Sequence, residues 1–396
     1  MTNLRVSKRI AQLRPTAVNA ILAEVRELTA RGHKPVSLMR GEPDLPTPSH
    51  ILAEAQAALA RGRTAYPNNQ GELELRAAVS RKLESQTGVH YSPEDEILIT
   101  TGATLGVYAA VAALVDPGTD VLLPEPIYDA YHSVLALAGG EPRSVPARVV
   151  DGRFTMDPRV LEQACRPNTT ALLLNTPWNP TGTVLRRGEL EQIMAIAQRH
   201  NVAVISDEIY EATIYGDCQH LSPAALSPDA RNRTIVVNSF SKTYAMTGWR
   251  LGYCAGPANL IQAMYLVLQQ SSRGPATFVQ DAGVAALSGS QECVVRMRSE
   301  YARRLQQLRE RLADIPRVHV LVPEAGFFAM VDVRELGVTS DEIRRRLLTD
   351  FGVVVVHGAA YGPAGEGTLR ISFAKGGAAL TTGLERLRDG LTALGG

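Results

Sequence analysis

Six short apolar runs, at residues 97–100, 120–123, 171–174, 202–206, 234–237 and 251–254, constrain this chain more than any other feature. Several are rich in β-branched residues, as strands buried on both faces should be. Helical stretches separate many of them. Glu189 to His200, for example, lies between the run ending at Leu174 and the run starting at Val202. Those three pieces make a βαβ unit with a crossover helix. The alternation predicts an α/β domain built on a mostly parallel sheet. Such sheets bind ligands beyond the carboxyl ends of their strands. Asp207 and Ser239 each sit just after a run, where that rule places a ligand.

The flanking segments read differently. Residues 17–30 put Val18, Ile21, Leu22, Val25 and Leu28 on one face of a helix, which Gly32 stops. Gly41 to Pro48 is too rich in proline for regular structure and reads as a linker or a site loop. Ile51 to Leu59 and Glu72 to Leu83 are helical. Past residue 290, Glu292 to Ile315 is a long helix dense in Arg and Glu. Val318 to Val322, Gly326 to Val333 and Thr368 to Phe373 look like strands, and Asp341 to Leu348 a helix. This last third reads as a smaller α+β domain that the N-terminal helix joins.

At 396 residues the chain is long enough for two domains, and its net charge of +1 gives no sign of nucleic-acid or membrane binding. Cys165, Cys218, Cys254 and Cys293 form no CxxC pair and no metal-ligand spacing, so they read as free thiols in a reducing compartment. The stretch beginning Met1-Thr2-Asn3-Leu4-Arg5 has charge but no apolar core, so it is not a secretory signal. No apolar stretch reaches the roughly 20 residues needed to span a bilayer. The expectation is a cytoplasmic protein without a metal.

Lys242 stands in Asn238-Ser239-Phe240-Ser241-Lys242-Thr243, with Arg250 a little further on. A lysine can form an imine with an aldehyde, and its freed amine can move protons as base and acid. Taken alone it is a solvated surface lysine. Asp207 can keep a pyridine nitrogen protonated; its bland reading is a helix N-cap. Tyr210 can hydrogen-bond a phenolic oxygen, or be a core tyrosine. Arg250 offers a fork for phosphate, and Ser239 and Ser241 offer hydroxyls. Thr101-Gly102-Ala103-Thr104 precedes an apolar helix, so its N–H groups can face an anion, or merely turn the chain. Asn179, in a proline-fixed turn, has an amide suited to a phenolate. Tyr128 can stack on a ring, with Tyr131 as its rival or a core residue. Arg370 projects from an apolar strand and needs a partner; a substrate carboxylate and a structural Asp or Glu both qualify. The set as a whole describes a site for pyridoxal 5′-phosphate (PLP).

The motifs Asn-Pro-Thr-Gly at 179–182, Asp-Glu-Ile-Tyr at 207–210, Ser-Phe-Ser-Lys at 239–242, Gly-Trp-Arg at 248–250 and Leu-Arg-Ile-Ser-Phe-Ala at 369–374 appear in order. With them the chain resembles the class I/II aminotransferases from about Val36 to Lys375. The resemblance implies the α/β architecture of fold-type I PLP enzymes: a large domain (45–285) with a mostly parallel sheet and helices on both faces, and a small α+β domain from both chain ends (1–44 and 286–396). It implies Lys242 as the Schiff-base lysine, Asp207 as the ring-nitrogen partner, and Asn179 and Tyr210 as ligands of the phenolic oxygen. Tyr128 would stack on the ring, and Ala103, Thr104, Ser239, Ser241 and Arg250 would hold the phosphate. Arg370 would take the substrate α-carboxylate, under a loop containing Gly41. Tyr66 matches a tyrosine lent to the neighbouring subunit's phosphate, which implies a homodimer with shared sites.

The resemblance further implies transfer of an amino group between an L-amino acid and a 2-oxo acid by a ping-pong mechanism. Other reactions on the same scaffold (β-elimination, decarboxylation, a synthase or an oxidase) share the cofactor residues and stay open. A PLP-sensing regulator would need a DNA-binding domain for which the N-terminal segment is too short. Trp178 stands where a polar residue is more usual, and either narrows the pocket or packs against its turn. Thr104 replaces the lysine by which one aspartate-specific branch reads a distal carboxylate. Arg273 could bind an acidic side chain across a dimer, or be an exposed loop residue.

Overall fold

The computed structural model describes residues 6, 7, 10, 13 and 15–395. The stretch from Met1 to Arg5, considered above as a leader, lies outside the described residues.

Seven strands form the central sheet: β1 (Ile97–Thr100), β2 (Asp120–Glu125), β3 (Glu141–Pro146), β4 (Thr169–Asn175), β5 (Ala203–Asp207), β6 (Thr234–Ser239) and β7 (Gly252–Ala255). Their order is β1-β7-β6-β5-β4-β2-β3. Neighbours are parallel except at β7, which runs antiparallel to both β1 and β6. The mostly parallel sheet read from the apolar runs is therefore present, with one reversed strand. Residue pattern could not reveal that reversal, because a strand covered on both faces is apolar in either direction.

Both faces are packed. Leu98, Leu173, Ile205 and Val237 belong to one buried cluster. Ile99 and Tyr253 pack in a second cluster, and Leu172 and Val204 in a third, on the opposite side. Each such aliphatic side chain contributes about 1.5–3 kcal/mol on burial. Segment 141–146 was not among the apolar runs. It forms the sheet edge, is largely exposed, and carries two prolines. An edge strand tolerates proline because one row of its N–H groups needs no partner.

Four helices position the site: α1 (Ala17–Ala30), α2 (Ala103–Leu114), α3 (Ala130–Ala138) and the single turn α4 (Phe240–Thr243). The apolar face of α1 packs on Leu348, Val354, Val356 and Tyr361. Next to it, Val36 and Ser37 pair in parallel with Val353 and Val354. A second, antiparallel sheet has the order β8-β9-β11-β10, with β8 at His319–Leu321, β9 at Phe328–Asp332, β10 at Val356–His357 and β11 at Thr368–Ser372. Arg370 lies mid-strand on β11, paired with Met330 and Val356.

Strand register brings the site together. Asn175 and Asp207, the last residues of β4 and β5, are direct partners, and Ser239 ends β6 beside Gly252 of β7. A Cβ at Gly252 would meet the Ala103 nitrogen and the Asn238 carbonyl at 2.9 Å each. Glycine there lets the start of α2 lie directly against β7.

Candidate active site

A cavity of about 400 Å³ opens at these strand ends. Its walls include Gly41, Ala103, Thr104, Tyr128, Asn179, Asp207, Tyr210, Ser239, Ser241, Lys242, Arg250 and Arg370. Every site residue expected from the sequence except Tyr66 therefore converges on one cavity. Tyr66 is 86% exposed and lies with Arg273, whose guanidinium is 5.8 Å from its ring centroid. Within one chain neither reaches the cavity, and Arg273 is exposed.

Lys242 is on α4, whose first turn is capped by Ser239: its Oγ accepts the Ser241 N–H at 3.0 Å. The ammonium donates to the Gly41 carbonyl at 2.7 Å. Burial lowers its pKa to about 8, against the opposing pull of Glu42, with Arg250 and Arg370 adding to the depression. A buried amine of this kind deprotonates near neutrality and becomes a nucleophile. The loop holding Gly41 is tied down: Thr47 donates to the Ala245 carbonyl at 2.9 Å, and Thr247 to Glu42 at 3.1 Å.

Asp207 is buried, and desolvation raises its carboxyl to about 6. Its Oδ2 accepts the Tyr131 hydroxyl at 2.5 Å and its Oδ1 the Ile209 N–H at 3.3 Å. Tyr131, the rival for ring stacking, thus faces the carboxylate, while Tyr128 stands edge-on to it with centroids 5.5 Å apart. Asn175 is a site residue that sequence reasoning missed. Its amide donates to the Asp207 carbonyl at 2.9 Å and accepts the Asn179 N–H at 2.7 Å, joining the two segments.

The guanidinium of Arg370 is buried over the Phe328 ring, 4.1 Å from its centroid, and 4.9 Å from that of Tyr361. It donates to the Met39 carbonyl at 2.8 Å and to Asn179 at 3.4 Å. No carboxylate pairs with it among the described residues, and its Nε is buried with no partner. No Asp or Glu among the described residues forms an ion pair with it; Asp129, in the same cavity, acts on it only at longer range. Tyr210 is buried beneath the same wall, and burial raises its hydroxyl pKa.

Opposite lies a cup for an anion. Gly102 adopts φ +81°, and a Cβ there would meet Arg250 Nη2 at 2.3 Å. Glycine lets the guanidinium rest against the turn before α2. That helix starts without a side-chain cap, so its first N–H groups face outward. Trp178 does not narrow the cavity. It is buried with Ala147, Phe154, Leu321 and Met330 and donates to the Pro126 carbonyl at 2.7 Å.

This donor set fits PLP: an amine for the aldehyde, a buried carboxylate for the ring nitrogen, an amide and a phenol for the phenolic oxygen, and an arginine cup for phosphate. The orphaned Arg370 Nε adds a place for a substrate carboxylate. Residues 33–387 match the family model of aminotransferase class I and II. The chain belongs to this family.

Aminotransferases recur among its relatives and its structural neighbours. It is 36% identical to an aspartate aminotransferase of Geobacillus stearothermophilus, over 97% of this chain and 98% of that protein. It is 37% identical to aromatic-amino-acid aminotransferase 2 of Thermococcus litoralis, over 89% and 90% of the two chains. The crystal structure of an aspartate aminotransferase from Rhizobium meliloti superposes with a TM-score of 0.94 at 32% identity, covering 98% and 99% of the two chains. This aminotransferase has fold type I, and its cofactor is PLP.

Proposed function

We propose that this aminotransferase moves an amino group between an L-amino acid and a 2-oxo acid at the Lys242 cavity, in two half-reactions. The observation that carries the site assignment is the buried, unpaired Nε of Arg370 in the same cavity as Lys242 and Asp207. When bound, PLP supplies an electron sink for the bond broken at the substrate Cα. Arg370 binds the α-carboxylate, with its guanidinium held in place by Met39, Asn179 and the Phe328 ring. Lys242 would hold the cofactor by its aldehyde, and its freed amine would take and return the proton of the substrate Cα. Asp207 keeps the ring nitrogen protonated. Asn179 and Tyr210 bind the phenolic oxygen, and Tyr128 covers the ring. Ala103, Thr104, Ser239, Ser241 and Arg250 hold the phosphate.

The same reading includes a homodimer, with Tyr66 completing the partner's phosphate site; its high exposure in a single chain supports this. It keeps the domain division at 45–285 and the two chain ends, supported by the pairing of Val36 with Val353. It also keeps a cytoplasmic location. All four cysteines are free thiols, and no described helix is long and apolar enough to cross a membrane. Aspartate and aromatic amino acids, the substrates named for its relatives, head the donors to try. Holoenzyme mixed with each L-amino acid and no acceptor should release one equivalent of the matching 2-oxo acid per site. Ammonia with pyruvate, or carbon dioxide, would mean a different reaction, and no product from any donor would refute the proposal.

A further inference from the structure

We propose that Tyr131 is the positioning residue for Asp207: its hydroxyl fixes one carboxylate oxygen and turns the other toward the cofactor ring. This inference rests on the assignment of Asp207 given above. The geometry carries it. Tyr131 lies on α3, one turn after Tyr128, and the two rings meet edge to face at 87°. Its ring is held in the buried cluster that includes Val107, Val134 and Ile205. Its hydroxyl reaches Asp207 Oδ2 at 2.5 Å, a distance typical of a bond to an ionised acceptor. Among the described residues, no other side chain hydrogen-bonds that carboxylate. Glu208, next in sequence, is turned away and engaged by Ser206, Ser222 and His220.

Tyr131 is suited to be a permanent donor. Burial and the nearby Asp207 charge both raise its pKa, so the phenol keeps its proton throughout the working range. The bond acts on Asp207 against desolvation, which favours the protonated carboxyl. The other groups facing Asp207 are Glu208 on its own segment, Lys242 on α4, Cys254 on β7, Tyr128 just before α3 and Tyr210. Lys242 helps keep the carboxylate ionised and Glu208 opposes it. Tyr131 is therefore the neutral donor that sets both the direction and the protonation of this group. The start of α3 and the residues just before it then serve the cofactor twice, with Tyr128 for the ring face and Tyr131 for the ring-nitrogen partner.

Tyr131→Phe keeps the ring and removes only the hydroxyl. Its PLP dissociation constant, measured by titrating apo-protein, should rise roughly tenfold. The acidic limb of its kcat/KM profile should move up by about one pH unit. Its loss should be small at high pH and large at low pH, with kcat falling more than KM rises. A loss equal at every pH would mean a packing role and overturn the inference, as would a wild-type profile. Where Tyr131→Phe also loses stability, the cycle with Asp207→Asn separates positioning from packing. Tyr131→Phe should add little to PLP affinity once Asp207→Asn is present, and additive losses would overturn the inference. Wild-type PLP affinity in Asp207→Asn itself would instead overturn the underlying assignment of Asp207.

Discussion

Lys242 Nζ donates to the carbonyl of Gly41 at 2.7 Å, across 201 positions of sequence. The bond ties the nucleophile to the loop expected to cover the substrate. Burial of the amine, together with Arg250 and Arg370, is why its proton is held less tightly than on a surface lysine.

The pH dependence of cofactor capture should show this. Burial brings Lys242 from 10.5 to about 8. The rate at which apo-protein combines covalently with PLP should climb about tenfold per pH unit below that value and level off above it. Stopped-flow absorbance measures it directly. A rate still climbing steeply at pH 10 would refute the assignment.

Arg370→Lys should weaken substrate far more than cofactor. Lysine retains the charge but loses the planar fork that addresses a carboxylate at two points. The expected loss in kcat/KM is roughly 2–4 kcal/mol, about 30- to 1,000-fold. PLP affinity from apo-protein titration should change by less than about threefold, because Arg370 is placed at the substrate end.

Gly102→Ala tests the phosphate cup. The new Cβ would meet Arg250 Nη2 at 2.3 Å at a residue with φ +81°. PLP affinity should fall roughly tenfold as the guanidinium is displaced, with about 1–2 kcal/mol of stability lost to backbone strain. Gly62→Ala is the control: its φ is +76°, but nothing lies within 4 Å of the added Cβ. It should lose similar stability and no PLP affinity.

Subunit mixing tests Tyr66. In a hybrid of a Tyr66→Phe chain with a Lys242→Ala chain, sharing in trans places both defects in one site and leaves the other intact. The hybrid should show about half of wild-type activity at wild-type PLP affinity. Half the activity of the Tyr66→Phe homodimer, at that homodimer's weakened PLP affinity, would mean that Tyr66 serves its own chain; a Tyr66→Phe homodimer with wild-type PLP affinity would mean that it serves none.

The acid stability of apo-protein should carry the mark of Asp207. Its folded carboxyl is raised from 3.8 to about 6, so the unfolded chain releases this proton first. The stabilising contribution is full below pH 3.8 and lost as pH rises through 6, about 3 kcal/mol in all. Asp207→Asn should remove that slope. Denaturation curves that stay parallel for the two proteins between pH 4 and 6 would count against a buried, strained carboxylate.

The candidate site residues and most of the scaffold were legible in the local sequence pattern. Lys242, Asp207, Arg250 and Arg370 carry reactive or charged groups at the ends or in the middle of apolar strands, and such groups need a reason to be there. Periodicity located the six runs because buried strands need apolar side chains on both faces. It passed over the edge strand at 141–146, whose exposed side chains and prolines give no such signal.

Only the tertiary structure decided which neighbour each group meets. Tyr128 and Tyr131 look alike in sequence and both line the cavity, and only the fold gave Tyr131 the hydrogen bond to Asp207. Trp178 was equally placed to narrow a pocket or fill a core, and contacts with Phe154 and Met330 settled it as core. Asn175 carried no signal in the sequence, and it gained a role only when register set it against Asp207. Long-range contacts of this kind depend on strand order and on how helices pack across it. Neither is written in the local pattern from which the strands themselves can be read.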